Sequence, residues 1–407
     1  MLDGFRILDL ADEKGQLCAR LLGDLGADVV KIEPPGGDSA RRLGPYYHDE
    51  PHPEKSLYWF AYNTNKRGVT LNLDCADGRE LFRRLVRSAD VVLETFQPGY
   101  LAGLGLGYDD LKRIKNDLIM VSITPFGQTG PDAQALASDL VMMARGGLLY
   151  ICGDSDAPPA RVRVPQSYCQ GGAQGAMATA LALHHRDETG VGQHIDLSIQ
   201  EAIANALITV QQNWDMLQRI EERGTRQRRG NVIGKYSWAC ADGYIAWCWW
   251  VAPGWGYKMY PLLEWMTEEE MVEDLWDWDW DSRSTNELNQ EEVDHWEEVF
   301  TRFFLTHTKE EIFHQALERR IMLFPTYSAT DLTGYEQLAD REYFQSIEHP
   351  ELGDAVTYPG AFVVTTEPMW SLRLRPPTVG EHNREIYGGE LQLGDQDLAA
   401  LKAAGAI

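Results

Sequence analysis

The sequence lacks the patterns that mark several common classes of protein. It has no run of about 18 apolar residues, so no membrane-spanning helix is expected. No apolar stretch with basic flanks stands near the N-terminus, which argues against a secretory signal peptide. The ten histidines form no HExxH pattern, and the GxGxxG dinucleotide fingerprint is absent. These absences argue against a membrane protein, a zinc peptidase of that type and a nicotinamide-dependent enzyme.

Basic residues and paired cysteines are also scarce. The 37 Lys and Arg residues face 62 Asp and Glu residues, which gives a formal net charge of −25. So acidic a chain repels phosphate backbones, and nucleic acid is not an expected partner. The six cysteines show no CxxC spacing, so reduced thiols and a cytoplasmic location are expected. His48 and His52 lie in a proline-broken loop, and no metal site is expected there.

The first third of the chain alternates between strand and helix patterns. Strands are predicted at residues 5–10, 28–33, 68–73, 90–94 and 118–123, and helices at 16–25, 78–88 and 109–115. A strand, a helix and a second strand within about 30 residues make a βαβ unit, which implies a parallel sheet. The expected fold class is therefore α/β, with a doubly wound large domain.

Residues 164–200 contain the most distinctive stretch of the chain. An alanine-rich helix is predicted at 171–186, with small residues that let another backbone approach closely. Gly190 is the expected C-terminal cap of this helix, and a strand is expected at 193–199. Composition alone favours a tightly packed core helix, while a small-residue helix also suits a site near a cofactor or second subunit.

Tryptophan is concentrated between residues 236 and 300. An Asp-Gly turn within 235–250 predicts a hairpin, and an amphipathic helix is predicted at 309–319. In the acidic segment 264–281, Trp276, Trp278 and Trp280 alternate with aspartates. The favoured interpretation is a solvated rim packed on a small domain. The alternative is a Trp-lined protein interface, because tryptophan is common at binding hot spots.

Several blocks along the chain resemble class III CoA-transferases, the family of formyl-CoA transferase, carnitine CoA-transferase and the α-methylacyl-CoA racemases. The matching blocks are LGADVVKIEPPGGD (25–38), NTNKRGVTLNL (63–73), ADVVLETFQPG (89–99), FGQTGP (126–131), RDETGVGQHIDLS (186–198) and PPTVGEH (376–382). The resemblance implies a large Rossmann-like domain at 1–215, a linker at 216–224 and a small Trp-rich α+β domain at 225–350. It also implies a C-terminal tail, 351–407, that returns to the large domain, and two protomers that interlock.

The resemblance also implies a chemistry, and one residue of this chain departs from it. The family's transferases use an aspartate that attacks the acyl-CoA thioester, forms a mixed anhydride and then carries CoA as a thioester. Alignment on Gly172 and Arg186 puts Tyr168 at that position. A phenol with a pKa of about 10 is mostly protonated at neutral pH and cannot form this anhydride. We therefore expect no catalytic residue at this position; Cys169 is an alternative nucleophile.

The positions that contact CoA in the family are implied in the same way. They are Leu71, Asn72, Leu73, Asp74, Thr95, Phe96, Gln97, Leu136, Ser138 and Asp139. Leu136 replaces a basic residue near the pyrophosphate, so a charge-assisted contact is lost. The His-Asp pair of the racemases falls at Ser138 and near Tyr168, where neither side chain relays a proton at neutral pH. A CoA thioester is the expected ligand, with no covalently bound cofactor and no metal.

Two classes of function follow from these residues. The first is a non-catalytic subunit whose catalytic CoA-transferase paralogue supplies the aspartate; succinyl-CoA and a carboxylic acid are the substrates. The family includes such a two-subunit enzyme, which transfers CoA to benzylsuccinate in anaerobic toluene degradation. The second is a stand-alone transferase or racemase with a rebuilt site that uses Cys169 or Asp139. A module that binds acyl-CoA without turnover is the third interpretation.

Overall fold

The computed structural model describes residues 1–221, 223–224 and 226–407. These residues form two compact units. Unit 1 comprises 1–149, 162–212 and 337–407, and unit 2 comprises 150–161 and 213–336. Glu222 of the predicted linker and Thr225, the predicted first residue of the small domain, lie outside the described residues. The domain limits given above remain predictions of domain organisation.

Unit 1 is built on a six-stranded parallel sheet, as the sequence predicts. Its strands are β1 Arg6–Asp9, β2 Asp28–Glu33, β3 Lys66–Thr70, β4 Val91–Glu94, β5 Ile119–Thr124 and β6 His194–Ser198. The spatial order is β3-β2-β1-β4-β5-β6, and every neighbouring pair is parallel. The order reverses at β1, so the carboxyl ends of β1 and β4 flank the position where doubly wound sheets bind ligands.

Helices connect these strands and continue through unit 2. They are α1 Gln16–Asp24, α2 Leu57–Tyr62, α3 Ala76–Val86, α4 Tyr100–Gly103, α5 Tyr108–Lys112, α6 Asp139–Arg145, α7 Gln166–Thr189, α8 Ile199–Ala206, α9 Ile208–Leu217, α10 Tyr260–Glu268, α11 Gln290–Phe304, α12 Lys309–Arg319, α13 Ala329–Thr333, α14 Glu336–Asp340 and α15 Asp395–Ala403. A π-helical segment spans Arg384–Glu390. The C-terminal tail belongs to unit 1, where the Tyr387 hydroxyl donates to the Thr70 carbonyl at 2.9 Å.

The small residues of α7 allow close contact with α1. A Cβ atom on Gly172 would lie 2.9 Å from the Leu17 Cβ, and one on Gly175 would lie 2.8 Å from Ile123. The sequence pattern therefore reflects packing inside unit 1, as the core-helix interpretation proposed. The helix ends as predicted, because Gly190 caps it with a φ of 73°. It begins at Gln166, five residues before the predicted start.

Unit 2 contains two antiparallel sheets. Strands β7 Arg226–Arg229 and β8 Val232–Lys235 form one hairpin, and β9 Ser237–Cys240, β10 Gly243–Ala246 and β11 Phe324–Pro325 form a three-stranded sheet. The β9–β10 pair confirms the hairpin predicted at the Asp-Gly turn. Strand β7 therefore begins just after the predicted linker, 216–224. Strands β12 Phe344–His349 and β13 Asp354–Pro359 form a further hairpin in unit 1.

The tryptophans of unit 2 mostly form its core. Trp238, Trp247, Trp249, Trp265, Trp280 and Trp296 are each at most 3% exposed. Trp238, Trp247 and Trp265 pack edge to face with phenylalanines of α11, for example Trp247 against Phe300 at 4.9 Å between ring centroids. Of the tryptophans in the acidic segment, only Trp276 is strongly exposed, at 45%. The interpretation of this segment as a rim packed on a small core agrees with that pattern.

Candidate functional site

Buried ion pairs fix the loops at the carboxyl ends of β1 and β2. The Lys66 ammonium lies 2.9 Å from the Asp9 carboxylate, and both groups are fully buried. Lys31 makes a second buried pair with Asp38 at 2.9 Å and also donates to the Ala11 carbonyl. Each charge therefore has a partner, which burial demands. These contacts hold the loop after β1 against the loop after β2.

A cavity of about 360 Å³ lies at these strand ends. The cavity is lined by Leu10, Asp12, Ile32, Glu33, Pro34, Gly37, Asp38, Ser39, Arg42, Leu71, Asn72, Leu73, Asp74, Phe96 and Tyr100. Five of the residues implied by the family resemblance therefore line one cavity: Leu71, Asn72, Leu73, Asp74 and Phe96. We call this cavity the cleft.

The other implied contact residues do not line the cleft. Thr95 is buried behind it, where its hydroxyl donates to Asp12 at 2.8 Å. The Gln97 amide donates to the Gln134 carbonyl at 2.7 Å, and Leu136 is 87% exposed in a loop. Ser138 precedes α6, and Asp139 begins it. Of the residues implied by the resemblance, 71–74 and Phe96 line the cleft, and those at 136–139 do not.

The charges of the cleft are mostly compensated. Of its carboxylates, Glu33 accepts two hydrogen bonds from the Arg41 guanidinium at 2.6 and 2.8 Å. Asp74 accepts a hydrogen bond from the Tyr100 hydroxyl at 2.9 Å. Arg42 donates only to the Gly36 carbonyl, at 3.2 Å, among the contacts of the described residues. Arg42 is therefore the cation of the cleft that is available to an anionic ligand.

Sequence reasoning missed three groups at this end of the sheet. Arg42 and Tyr100 line the cleft, yet they lie in short helical segments whose direction no periodicity predicts. Glu94, at the end of β4, accepts the Phe96 amide at 2.6 Å. Burial raises the pKa of the Glu94 carboxyl to about 7. A buried carboxyl with such a pKa sits directly behind an aromatic wall of the cleft.

The first turn of α7 carries the residues on which the functional argument depends. Asp139 accepts hydrogen bonds from the Ser167 amide and hydroxyl at 3.1 and 2.7 Å, which ties α6 to this turn. The Cys169 thiol lies 3.9 Å from the Tyr62 hydroxyl. Tyr168 and Cys169 lie on α7, which begins five residues before the predicted start of this helix.

The groups in this turn are held in their neutral forms. Burial raises the pKa of Tyr168, and the nearby carboxylates of Glu13, Asp12 and Asp139 raise it further. Burial also raises the pKa of the Cys169 thiol, against an opposing hydrogen bond from Tyr62. Neither side chain is therefore an ionised nucleophile at neutral pH. We call Tyr58, Tyr62, Tyr168 and Cys169 the phenol–thiol group.

Packing between aromatic side chains completes the phenol–thiol group. The rings of Tyr58 and Tyr62 lie 4.8 Å apart, and burial is the main cause of a raised pKa at both hydroxyls.

The described residues contain no cluster of three or more His, Cys, Asp or Glu side chains that could hold a metal ion. Among the same residues, no helix is both long and apolar enough to cross a bilayer.

Comparison with known proteins assigns the chain to one family. The sequence model of CoA-transferase family III matches residues 2–383. The chain belongs to CoA-transferase family III. Its relatives include succinyl-CoA:(R)-benzylsuccinate CoA-transferase subunit BbsE of Thauera aromatica, with 37% identity over 94% of this chain and 92% of that protein.

Further relatives include another CoA-transferase and a protein of known structure. Succinyl-CoA:mesaconate CoA-transferase of Haloarcula marismortui is 32% identical over 95% of each chain. The crystal structure of a CAIB/BAIF family protein from Brucella suis superposes with a TM-score of 0.82 at 26% identity, covering 95% of this chain and 98% of that one. The fold predicted from the sequence is thus confirmed.

Proposed function

We propose that this chain is the non-catalytic subunit of a heteromeric CoA-transferase. A paralogous subunit of the same fold supplies the aspartate that carries the acyl group and then CoA. Succinyl-CoA is the proposed donor, and benzylsuccinate is the proposed acceptor, because a relative with 37% identity is a subunit of a transferase named for both. The proposed assembly is the interlocked pair implied by the family resemblance.

The observation that supports this proposal is the pair of neutral side chains, Tyr168 and Cys169, in the first turn of α7. Acyl transfer through an anhydride needs an ionised carboxylate on this turn. Tyr168 stands at the aligned position, and burial and neighbouring carboxylates raise its pKa. The nearest carboxylate on α6, Asp139, accepts two hydrogen bonds from Ser167, which reduces its nucleophilicity. The neutral thiol of Cys169 disfavours the alternative of a rebuilt stand-alone enzyme.

The cleft bears on the third interpretation, an acyl-CoA-binding module. Its volume and its residues from 71–74 suit part of a CoA molecule, but Arg42 is the cation it offers to phosphates. Charge-assisted contacts dominate phosphate recognition. We therefore propose that CoA binds weakly in this chain's own cleft and that turnover occurs at the paralogue.

The test compares the chain alone with the reconstituted pair. The purified chain is incubated with succinyl-CoA and benzylsuccinate, with and without the paralogue encoded beside it, and the CoA products are separated chromatographically. We expect turnover only in the mixture, abolished by replacing the paralogue's aspartate with alanine. Tyr168→Phe should leave turnover within about twofold, because a neutral ring replaces a neutral phenol.

Two outcomes contradict the proposal. The first is transfer by the chain alone. The second is a covalent CoA or succinyl adduct found by mass spectrometry on the peptide that contains Tyr168 and Cys169. Titration calorimetry with CoA on the isolated chain measures the cleft separately, and submicromolar affinity would favour the binding-module interpretation.

A further inference from the structure

Unit 2 exposes a cluster of aromatic rings and cations that the proposed chemistry does not use. It consists of Arg229, Trp250, Trp255, Tyr257 and Lys258, and we call it the cation–indole patch. The Lys258 ammonium lies 3.9 Å from the Trp255 ring centroid and 4.1 Å from that of Trp250. The Arg229 guanidinium lies 5.8 Å from Trp250. One indole therefore has two cations within the range of cation–π attraction.

The cations of the patch differ from most basic residues of unit 2. Arg319, Arg302 and Lys309 each pair with a carboxylate at 2.5 to 2.8 Å. Among the described residues, no ion pair joins Lys258 or Arg229 to any carboxylate. The Arg229 Nη1 donates to the Trp249 carbonyl at 2.6 Å, and its Nε is buried without a hydrogen-bond partner. Two positive charges thus remain uncompensated in a chain of net charge −25.

One carboxylate, that of Asp281, contacts the turn before Lys258, but it accepts a hydrogen bond from the backbone there. The Asp281 carboxylate accepts the Gly256 amide at 2.7 Å, and this bond holds the turn that precedes Lys258. The Trp250 and Trp255 ring centroids are 5.1 Å apart, and the Lys258 ammonium contacts both rings. A cation positioned in this way loses little side-chain freedom when it meets a partner charge.

The aromatic members of the patch are open to solvent. Trp255 is 41% exposed and Tyr257 is 64% exposed. Trp, Tyr and Arg are the residue types enriched at binding hot spots, and all three occur in this patch. The rings would bury apolar area against a partner, and the cations would pair with its carboxylates. A basic partner surface would be repelled here, whereas an acidic surface would gain two ion pairs.

We propose that the cation–indole patch is a docking surface for an acidic segment of the catalytic partner subunit. This inference rests on the proposed function, since it requires such a partner. Carboxylates of the partner approach Lys258 and Arg229, and the exposed Trp255 and Tyr257 rings are covered. The attraction is local, because the remainder of this chain repels an acidic surface at long range.

The test measures affinity between the two full-length subunits at low and high NaCl by biolayer interferometry. Lys258→Glu should weaken binding about tenfold at low salt, and the loss should shrink as salt screens the charges. Trp255→Ala should weaken binding at both salt concentrations. Lys258→Arg, which keeps the charge and the stacking, should retain the affinity. Arg320→Glu is the matched control, because Arg320 is an exposed cation of unit 2 outside the patch.

Each alternative result has a distinct meaning. If the wild-type subunits bind and Lys258→Glu changes neither the affinity nor its salt dependence, this inference is wrong while the subunit proposal stands. If the wild-type subunits do not bind at all, both are wrong. If sedimentation shows that Lys258→Glu dissociates an oligomer of this chain alone, the patch contacts a second copy, and the assignment to the catalytic partner fails. Circular dichroism spectra confirm that each variant is folded.

Discussion

The two units differ in the kinds of side chain that they bury. Unit 1 buries charged side chains at the ends of its strands, among them Asp9, Lys31 and Lys66. Unit 2 buries indole rings, and Glu297 is its buried charged residue among those described. The charged groups of unit 1 hold loops in place, whereas the rings of unit 2 fill volume. Specific contacts therefore concentrate where the cleft is built.

The contrast predicts how each unit responds to the loss of one group. A buried ion pair contributes little net stability relative to an apolar pair, but removing one partner leaves an uncompensated charge. A buried indole loses mostly packing when it is truncated. Substitutions of buried charged residues and of buried tryptophans can therefore be compared by their cost in the free energy of unfolding. The largest cost is expected in unit 1.

The largest effect is expected for Lys66→Met. It leaves the Asp9 carboxylate buried without its 2.9 Å partner, at a cost of about 3–5 kcal/mol in the free energy of unfolding. Urea unfolding followed by circular dichroism measures the change. The control is Arg113→Met, which breaks an exposed pair with Asp110 and should cost at most about 0.5 kcal/mol. Equal costs for the two variants would show that the buried pair is not a stabilising requirement of unit 1.

The second effect depends on pH and concerns Glu94. Burial raises the pKa of this carboxyl in the folded chain to about 7, from an ordinary value of 4.5. Between these values the folded state binds more protons than the unfolded state, so Glu94 makes stability fall as pH rises. Glu94→Gln keeps an acceptor for the Phe96 amide but removes this titration. Its stability relative to wild type should rise by about 2 kcal/mol between about pH 5.5 and pH 8.

Unfolding of both proteins across this pH range measures the Glu94 effect. Glu80→Gln serves as the matched control, because it makes the same substitution at an exposed position. A Glu94→Gln difference that does not vary with pH would mean that Glu94 is ionised in the folded chain at neutral pH. The wall of the cleft behind Phe96 would then carry a full negative charge.

The sequence predicted the regular parts of unit 1 because periodicity encodes them. Strand β2 and, in unit 2, helix α12 span the same residues as their predictions, 28–33 and 309–319. The start of α7 was missed because Pro165 and Gln166 show no apolar periodicity, so the first turn resembled a loop. That turn carries Tyr168, and no local pattern could place its ring among Tyr58, Glu13 and Asp139.

Local sequence patterns also predict only some of the residues that line the cleft. The run 71–74 follows a strand, so its place at the carboxyl end of the sheet could be expected. Arg42 and Tyr100 enter the cleft from helical segments of four residues each, and long-range contacts decide the direction of such short segments. The ion pair between Asp9 and Lys66 joins residues 57 positions apart, and sequence reasoning from local patterns cannot detect it.

The smallest expected effect lies within unit 2 and compares two buried tryptophans. The Trp249 indole donates to the buried Glu297 carboxylate at 3.2 Å, whereas the Trp296 Nε1 is buried with no partner among the described residues. Trp249→Phe and Trp296→Phe remove the same atoms, but only the first deprives Glu297 of a hydrogen bond. Trp249→Phe should therefore cost about 1 kcal/mol more in the free energy of unfolding, measured in urea. If Trp296→Phe costs as much or more, ring packing outweighs the hydrogen bond, and the core of unit 2 depends on shape alone.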